Sequence, residues 1–92
     1  MAKIEKEFIV VNKKGLHARP AAIFVQMAEK FNVNVTIAKG KERINGKSIM
    51  GLLTLGAVHN TPLTLIVEGD QAETAMAEFE IFFSKQEEEL IP

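Results

Sequence analysis

The chain contains no cysteine, no tryptophan and no tyrosine, and only three prolines among its 92 residues. Without cysteine there is no disulfide, no thiol nucleophile and no thiolate metal site, and the usual framework of a small secreted domain is missing. A cytoplasmic location is the expectation. Basic residues form no block: 11 Lys+Arg face 12 Asp+Glu for a net charge of −1, which with the missing Trp and Tyr argues against nucleic acid as a partner. No apolar run approaches the ~20 residues of a membrane span, and the opening Met1-Ala2-Lys3-Ile4-Glu5-Lys6-Glu7 lacks the apolar region of a signal peptide. Neither a membrane association nor a cleaved leader is expected. Repeats, low-complexity tracts and Pro/Gly/Ser linkers are also absent, so residues 1–92 read as one domain.

Apolar residues make up 47% of the chain and charged residues 25%, a composition that builds a core. A domain of this size buries roughly 60–70% of the surface its unfolded chain exposes, which leaves little room for an enclosed cavity. Any chemistry is expected on the surface.

The patterning predicts the order βαββαβα. Phe8-Ile9-Val10-Val11 is β-branched and aromatic and predicts a first strand ending in the loop Asn12-Lys13-Lys14-Gly15. Ala21, Phe24, Val25, Ala28 and Phe31 follow the i, i+3, i+4, i+7 spacing of a helix stripe. Val33, Val35 and Ile37 then alternate with polar or small residues as a strand, Lys39-Gly40 supplies a turn, and Glu42-Arg43-Ile44-Asn45 returns as a polar edge strand. Residues 48–55 predict a short helix with Ser48 as N-cap and Gly56 after its end. Leu63, Leu65 and Val67 mark the last strand, opened by Pro62. Asp70-Gln71-Ala72-Glu73 predicts a capping box ahead of the stripe Ala72, Ala75, Met76, Phe79, Phe82 and Phe83, and residues 85–92 a solvated, fraying helix end. Antiparallel pairing with helices on one face makes this an α+β two-layer fold.

The segment Gly15-Leu16-His17-Ala18-Arg19-Pro20-Ala21-Ala22 joins the first strand to the first helix. Proline is comfortable only in a helix's first turn, which puts His17 at or beside the N-cap and leaves the amides of Ala18 and Arg19 without intrahelical partners. A group on His17 then sees the positive end of the helix dipole, worth ~0.3–1 kcal/mol to an anion. Arg19 adds a planar cationic fork suited to phosphate, and Gly15 lets another backbone approach closely. A nucleophile beside an anion site suits phosphotransfer; a His17 that merely ends a loop, with a solvated Arg19, accounts for the same residues equally well. His59, in Ala57-Val58-His59-Asn60-Thr61-Pro62, has no carboxylate or arginine near it in sequence and reads as a solvent-facing loop residue.

Gly15-Leu16-His17-Ala18-Arg19-Pro20-Ala21 resembles the phosphorylation-site signature of the HPr family, the histidine-containing phosphocarriers of the bacterial phosphoenolpyruvate-dependent sugar phosphotransferase system. Asn45-Gly46-Lys47-Ser48-Ile49-Met50-Gly51-Leu52-Leu53-Thr54-Leu55-Gly56 resembles the same family's regulatory-serine segment at the family's spacing, and the likeness runs over about residues 5–85. The resemblance implies an open-faced β-sandwich, a four-stranded antiparallel sheet covered on one face by three helices. It implies that His17 accepts a phosphoryl group on Nδ1 from phospho-enzyme I and passes it to an enzyme IIA domain, with Arg19 holding the phosphate. The domain then works as an intermediate in a phosphotransfer chain, a monomer without metal or cofactor, and not as an independent enzyme. Ser48 becomes the target of HPr kinase/phosphorylase, its phosphate weakening enzyme I docking and attracting a transcriptional co-regulator.

The short helix has apolar residues pointing in too many directions for all to be buried. Leu52 and Leu55 are expected inside; Ile49, Met50 and Leu53 are expected outside, forming with Leu16, Ala22, Ile23 and Lys47 a docking surface for partners. Met50 is flexible enough to serve several of them, and Lys13, Lys14 and Lys47 could rim the site with positive charge. Within the family, a regulatory or nitrogen-branch paralogue is the alternative; outside it, a non-phosphorylated adaptor that binds through Ile49 and Met50.

Overall fold

In the computed structural model, which describes residues 2–90, the strands β1 (Lys3–Ile9), β2 (Asn34–Lys39), β3 (Glu42–Asn45) and β4 (Pro62–Glu68) form one antiparallel sheet in the order β1-β4-β2-β3. Helices α1 (Ala18–Ala28), α2 (Ile49–Leu55) and α3 (Ala72–Phe83) carry the complementary apolar faces. The period-2 pattern of the central strands fixes which face they meet: Leu63, Leu65 and Val67 of β4 and Val35 and Ile37 of β2 are buried, while Thr64, Ile66 and Glu68 are not. At the centre, the fully buried Phe24 of α1 has its ring 4.8 Å from Phe79 and 5.2 Å from Phe82 of α3, and Phe8 of β1 stacks on Phe83 at 5.2 Å. This is the α+β arrangement that the residue pattern predicts.

Three elements differ from expectation. β1 runs from Lys3 to Ile9, so it starts five residues before the predicted 8–11 stretch and shares only Phe8 and Ile9 with it. Its outer edge is unpaired and its residues are mostly charged, which hides the strand period; Lys6 shares the helix-side face with Ile4 and Phe8 and is accommodated there by an ion pair with Glu80 of α3. The capping box does not form. α3 has Gln71 at its N-cap without a side-chain capping bond, because Gln71 Oε1 accepts instead from the Asn32 amide at 2.7 Å. The tail is not a continuation of α3: the chain breaks at Ser84 and forms a separate turn, α4 (Glu87–Leu90), so the described residues hold a fourth, short helix. Within the tail, residues 91–92 lie outside the described part.

Candidate functional site

The loop between β1 and α1 is built by its backbone. The Gly15 amide donates to the Asn12 carbonyl at 2.9 Å, and the Leu16 amide to the Ala57 carbonyl at 2.8 Å. Gly15 has φ +75°, and a Cβ there would lie 2.8 Å from the Ala57 oxygen and 3.1 Å from Val58 Cα, so two loops pass where a side chain would stand.

His17 follows as the N-cap of α1, extended at φ −90° and ψ −168°, and its carbonyl accepts the Ala21 amide at 3.0 Å. Pro20 is the third helical residue, within the first turn as its missing N–H demands. The amides of Ala18 and Arg19 are therefore the first-turn donors with no acceptor inside the helix. The imidazole is half-buried, does not cap the helix, and has Nε2 shielded from solvent. Arg19 is exposed two residues on, within the same first turn, and Lys13 and Lys14 are exposed on the preceding loop. Helix amides, a guanidinium and an imidazole thus share one end of α1, an arrangement that can receive an anionic group from another molecule and hold it.

Ser48 is the N-cap of α2. Its Oγ accepts from the Gly51 amide at 3.0 Å and its carbonyl from the Leu52 amide at 3.0 Å. Leu52 and Leu55 are buried, whereas Ile49, Met50 and Leu53 are exposed, Met50 at 69%. α2 packs against α1 and β3. The neighbouring Lys47 sends Nζ to the Phe31 carbonyl at 2.9 Å, just past the end of α1, so part of its donor capacity is committed to the fold and not to a docking rim. His59 is exposed in its loop.

One member of the expected docking surface is placed elsewhere. Leu16 is only 7% exposed and belongs to the core, drawn in by the Leu16–Ala57 backbone bond, so its side chain offers nothing to a partner. Ile23 is half-buried and lines, with Arg19, Met27, Glu78 and Leu90, a groove of about 650 Å³, which puts it on the α3 side of α1. Ala22 is half-buried on α1.

Two features have no signal in the sequence. Val58 is 65% exposed directly against Gly15, an apolar side chain beside the loop that carries His17. The Gln86 side chain reaches back to the same loop, with Nε2 donating to the Val11 carbonyl at 2.7 Å and Oε1 accepting the Lys13 amide at 3.1 Å. Among the described residues no group of three or more His, Cys, Asp or Glu is placed to hold a metal ion, and no helix is long and apolar enough to cross a membrane.

Comparison with known proteins connects these features. The model of the family described as "PTS HPr component phosphorylation site" matches residues 4–85. The HPr-like protein Crh of Halalkalibacterium halodurans is 42% identical over 83 residues, 90% of this chain and 99% of that one. The crystal structure of the phosphocarrier protein HPr of Bacillus anthracis superposes with a TM-score of 0.85 at 37% identity, covering 90% of this chain and 99% of that chain. Crh of Bacillus subtilis, a domain-swapped dimer in its crystal, superposes with a TM-score of 0.72 at 40% identity over 78% of this chain and 83% of that one.

Proposed function

From the premise that this chain belongs to the HPr family of the phosphotransferase system, we propose that it is a phosphocarrier that takes a phosphoryl group onto His17 from phospho-enzyme I and delivers it to enzyme IIA domains of sugar permeases. The observation that carries this reading is the position of His17, half-buried at the N-cap of α1 with first-turn amides and the exposed Arg19 on the same helix end. Membership in the family implies Nδ1 as the attacking nitrogen, and the shielding of Nε2 from solvent supports that assignment. Its lone pair forms the new N–P bond as the N–P bond to the donor histidine breaks and that electron pair returns to the donor ring. Each ring keeps the proton on its other nitrogen, so the work left to the protein is alignment and charge stabilisation. Arg19 and the helix end hold the phosphoryl oxygens while the carrier is between partners.

Ser48 is the regulatory position in this reading, modified by HPr kinase/phosphorylase. Its Oγ already accepts the Gly51 amide. A phosphate there carries about −1.5 to −2 charges and keeps an oxygen for the same amide, so α2 stays formed while the face carrying Ile49, Met50 and Leu53 becomes anionic. That face then repels an acidic enzyme I surface and suits a transcriptional co-regulator. The carrier works in the cytoplasm as a monomer; a swapped dimer in sedimentation would refute the latter.

Incubation with enzyme I and labelled phosphoenolpyruvate gives one acid-labile phosphate, lost in His17→Ala and kept in His59→Ala. An unlabelled wild-type chain rejects the carrier. The likeness to Crh, an HPr-like protein, favours a second reading, in which signalling through Ser48 is the main role. In that case HPr kinase labels Ser48 but phospho-enzyme I leaves His17 unmodified.

A further inference from the structure

The family match ends at residue 85, yet the chain after it is folded and attached to the loop that carries the site. Gln86 uses both ends of its side-chain amide on that loop, bridging the Val11 carbonyl and the Lys13 amide across 75 and 73 residues of sequence. Its own backbone is held in turn. The Gln86 amide donates to Glu89 Oε1 at 2.8 Å and the Glu89 amide returns to the Gln86 carbonyl at 3.0 Å, which closes α4 as a hydrogen-bonded turn. Leu90 then packs against the core, over a crevice shared with Val11, Leu16 and Pro20, and forms one wall of the groove that contains Arg19. The residues between Val11 and Pro20, which hold His17, are thus fastened from one side by the Leu16–Ala57 bond and from the other by Gln86 and Leu90.

We propose that residues 86–90 form a strap that positions the phosphorylation loop, with Gln86 as a positioning residue acting on His17 through the Val11–Lys13 backbone. The proposal rests on His17 being the phosphorylated residue, as argued above. It follows from what the bridge restrains: Lys13 lies inside the Asn12–Gly15 turn, and among the described residues the Gln86 side chain is what hydrogen-bonds its amide from outside the loop. Releasing it lets that turn move and, through Gly15 and Leu16, the N-cap itself. A small carrier that must present one imidazole to unlike partners gains from a loop whose geometry is fixed before contact.

The test uses the full chain with Gln86→Ala, and with Gln86→Glu as a second variant that keeps an acceptor for Lys13 but cannot donate to Val11. In Gln86→Ala the Lys13 amide should exchange about tenfold faster, the worth of one such bond. The His17 ring resonances should shift, and kcat for phosphorylation by phospho-enzyme I should fall about fivefold to tenfold at unchanged KM, because transfer and not docking is affected. Gln86→Glu should show the ring shift and the kcat loss with a smaller change at Lys13. A raised KM at unchanged kcat would make Gln86 a docking contact and overturn the proposal, as would wild-type ring resonances in both variants. Should the wild-type chain accept no phosphate, the carrier reading falls, while the Lys13 exchange and the His17 resonances still decide whether the strap positions the loop.

Discussion

Gly15→Ala tests whether the loop before His17 is fixed by close backbone packing. Three costs combine. An alanine at φ +75° pays about 1 kcal/mol for the left-handed conformation. Its Cβ would stand 2.8 Å from the Ala57 oxygen and 3.1 Å from Val58 Cα, both backbone atoms that move only if the loop moves; relieving such overpacking costs roughly another 1 kcal/mol or more. Moving the Ala57 carbonyl also strains its 2.8 Å bond from the Leu16 amide, a loss of about 1 kcal/mol. The expected destabilisation is about 3 kcal/mol, a fall in Tm of roughly 12–24 °C for a domain of this size. Gly40→Ala is the control, because Gly40 has φ +59° with nothing within 4 Å of the added Cβ; it should lose only about 1 kcal/mol. Urea unfolding of the two variants side by side isolates the packing contribution as their difference, about 2 kcal/mol. If the two come out within ~0.5 kcal/mol of each other, the loop has yielded at little cost and the argument for a rigid site is wrong.

Ser48→Ala removes the acceptor of the Gly51 amide and should cost ~1 kcal/mol in urea unfolding, whereas Ser48→Asp keeps a capping oxygen and should stay within ~0.5 kcal/mol of wild type. In stopped-flow transfer from phospho-enzyme I, Ser48→Asp should nonetheless be several-fold slower, and equal rates would remove Ser48 as a switch. Met50→Glu, at a side chain 69% exposed, should leave stability within ~0.5 kcal/mol but weaken enzyme I binding about tenfold in calorimetry, the loss of ~1.4 kcal/mol of contact. Phe24→Ala, at a fully buried ring packed on Phe79 and Phe82, should lose ~3–5 kcal/mol and shift the melting curve correspondingly.

What was legible in the sequence was what is encoded locally. Pro20 announces the start of α1 and so the N-cap position of His17, and Ser48 with the spacing of Leu52 and Leu55 announces α2 and its inward side. Features decided by distant partners were hidden. Lys6 reads as a residue for solvent until Glu80 is seen to meet it on the helix face, and this kept β1 from being recognised over its full length. Asp70 and Glu73 look like a capping pair, but the loop at Asn32 draws on Gln71 and moves the cap by one residue. Leu16 sits in the site motif and could have served a partner or the core; the Ala57 carbonyl decides for the core. Gln86 lies in a glutamate-rich tail, where nothing nearby marks one amide as reaching across to Val11.

The strand order β1-β4-β2-β3 has a consequence for how the chain reaches this state. Only β2 and β3 are joined as a hairpin; β1 pairs with β4 from Lys3↔Glu68 to Ile9↔Pro62, across nearly the whole molecule. Closing that loop is the slowest contact to make, since its entropy is lost before any pairing repays it. β1, which is synthesised well before β4, therefore waits for it, its only sheet partner among the described residues. During that interval Lys3, Glu5, Lys6 and Glu7, the charges that obscure β1 in the sequence, keep an unpaired strand from joining the edges of other chains.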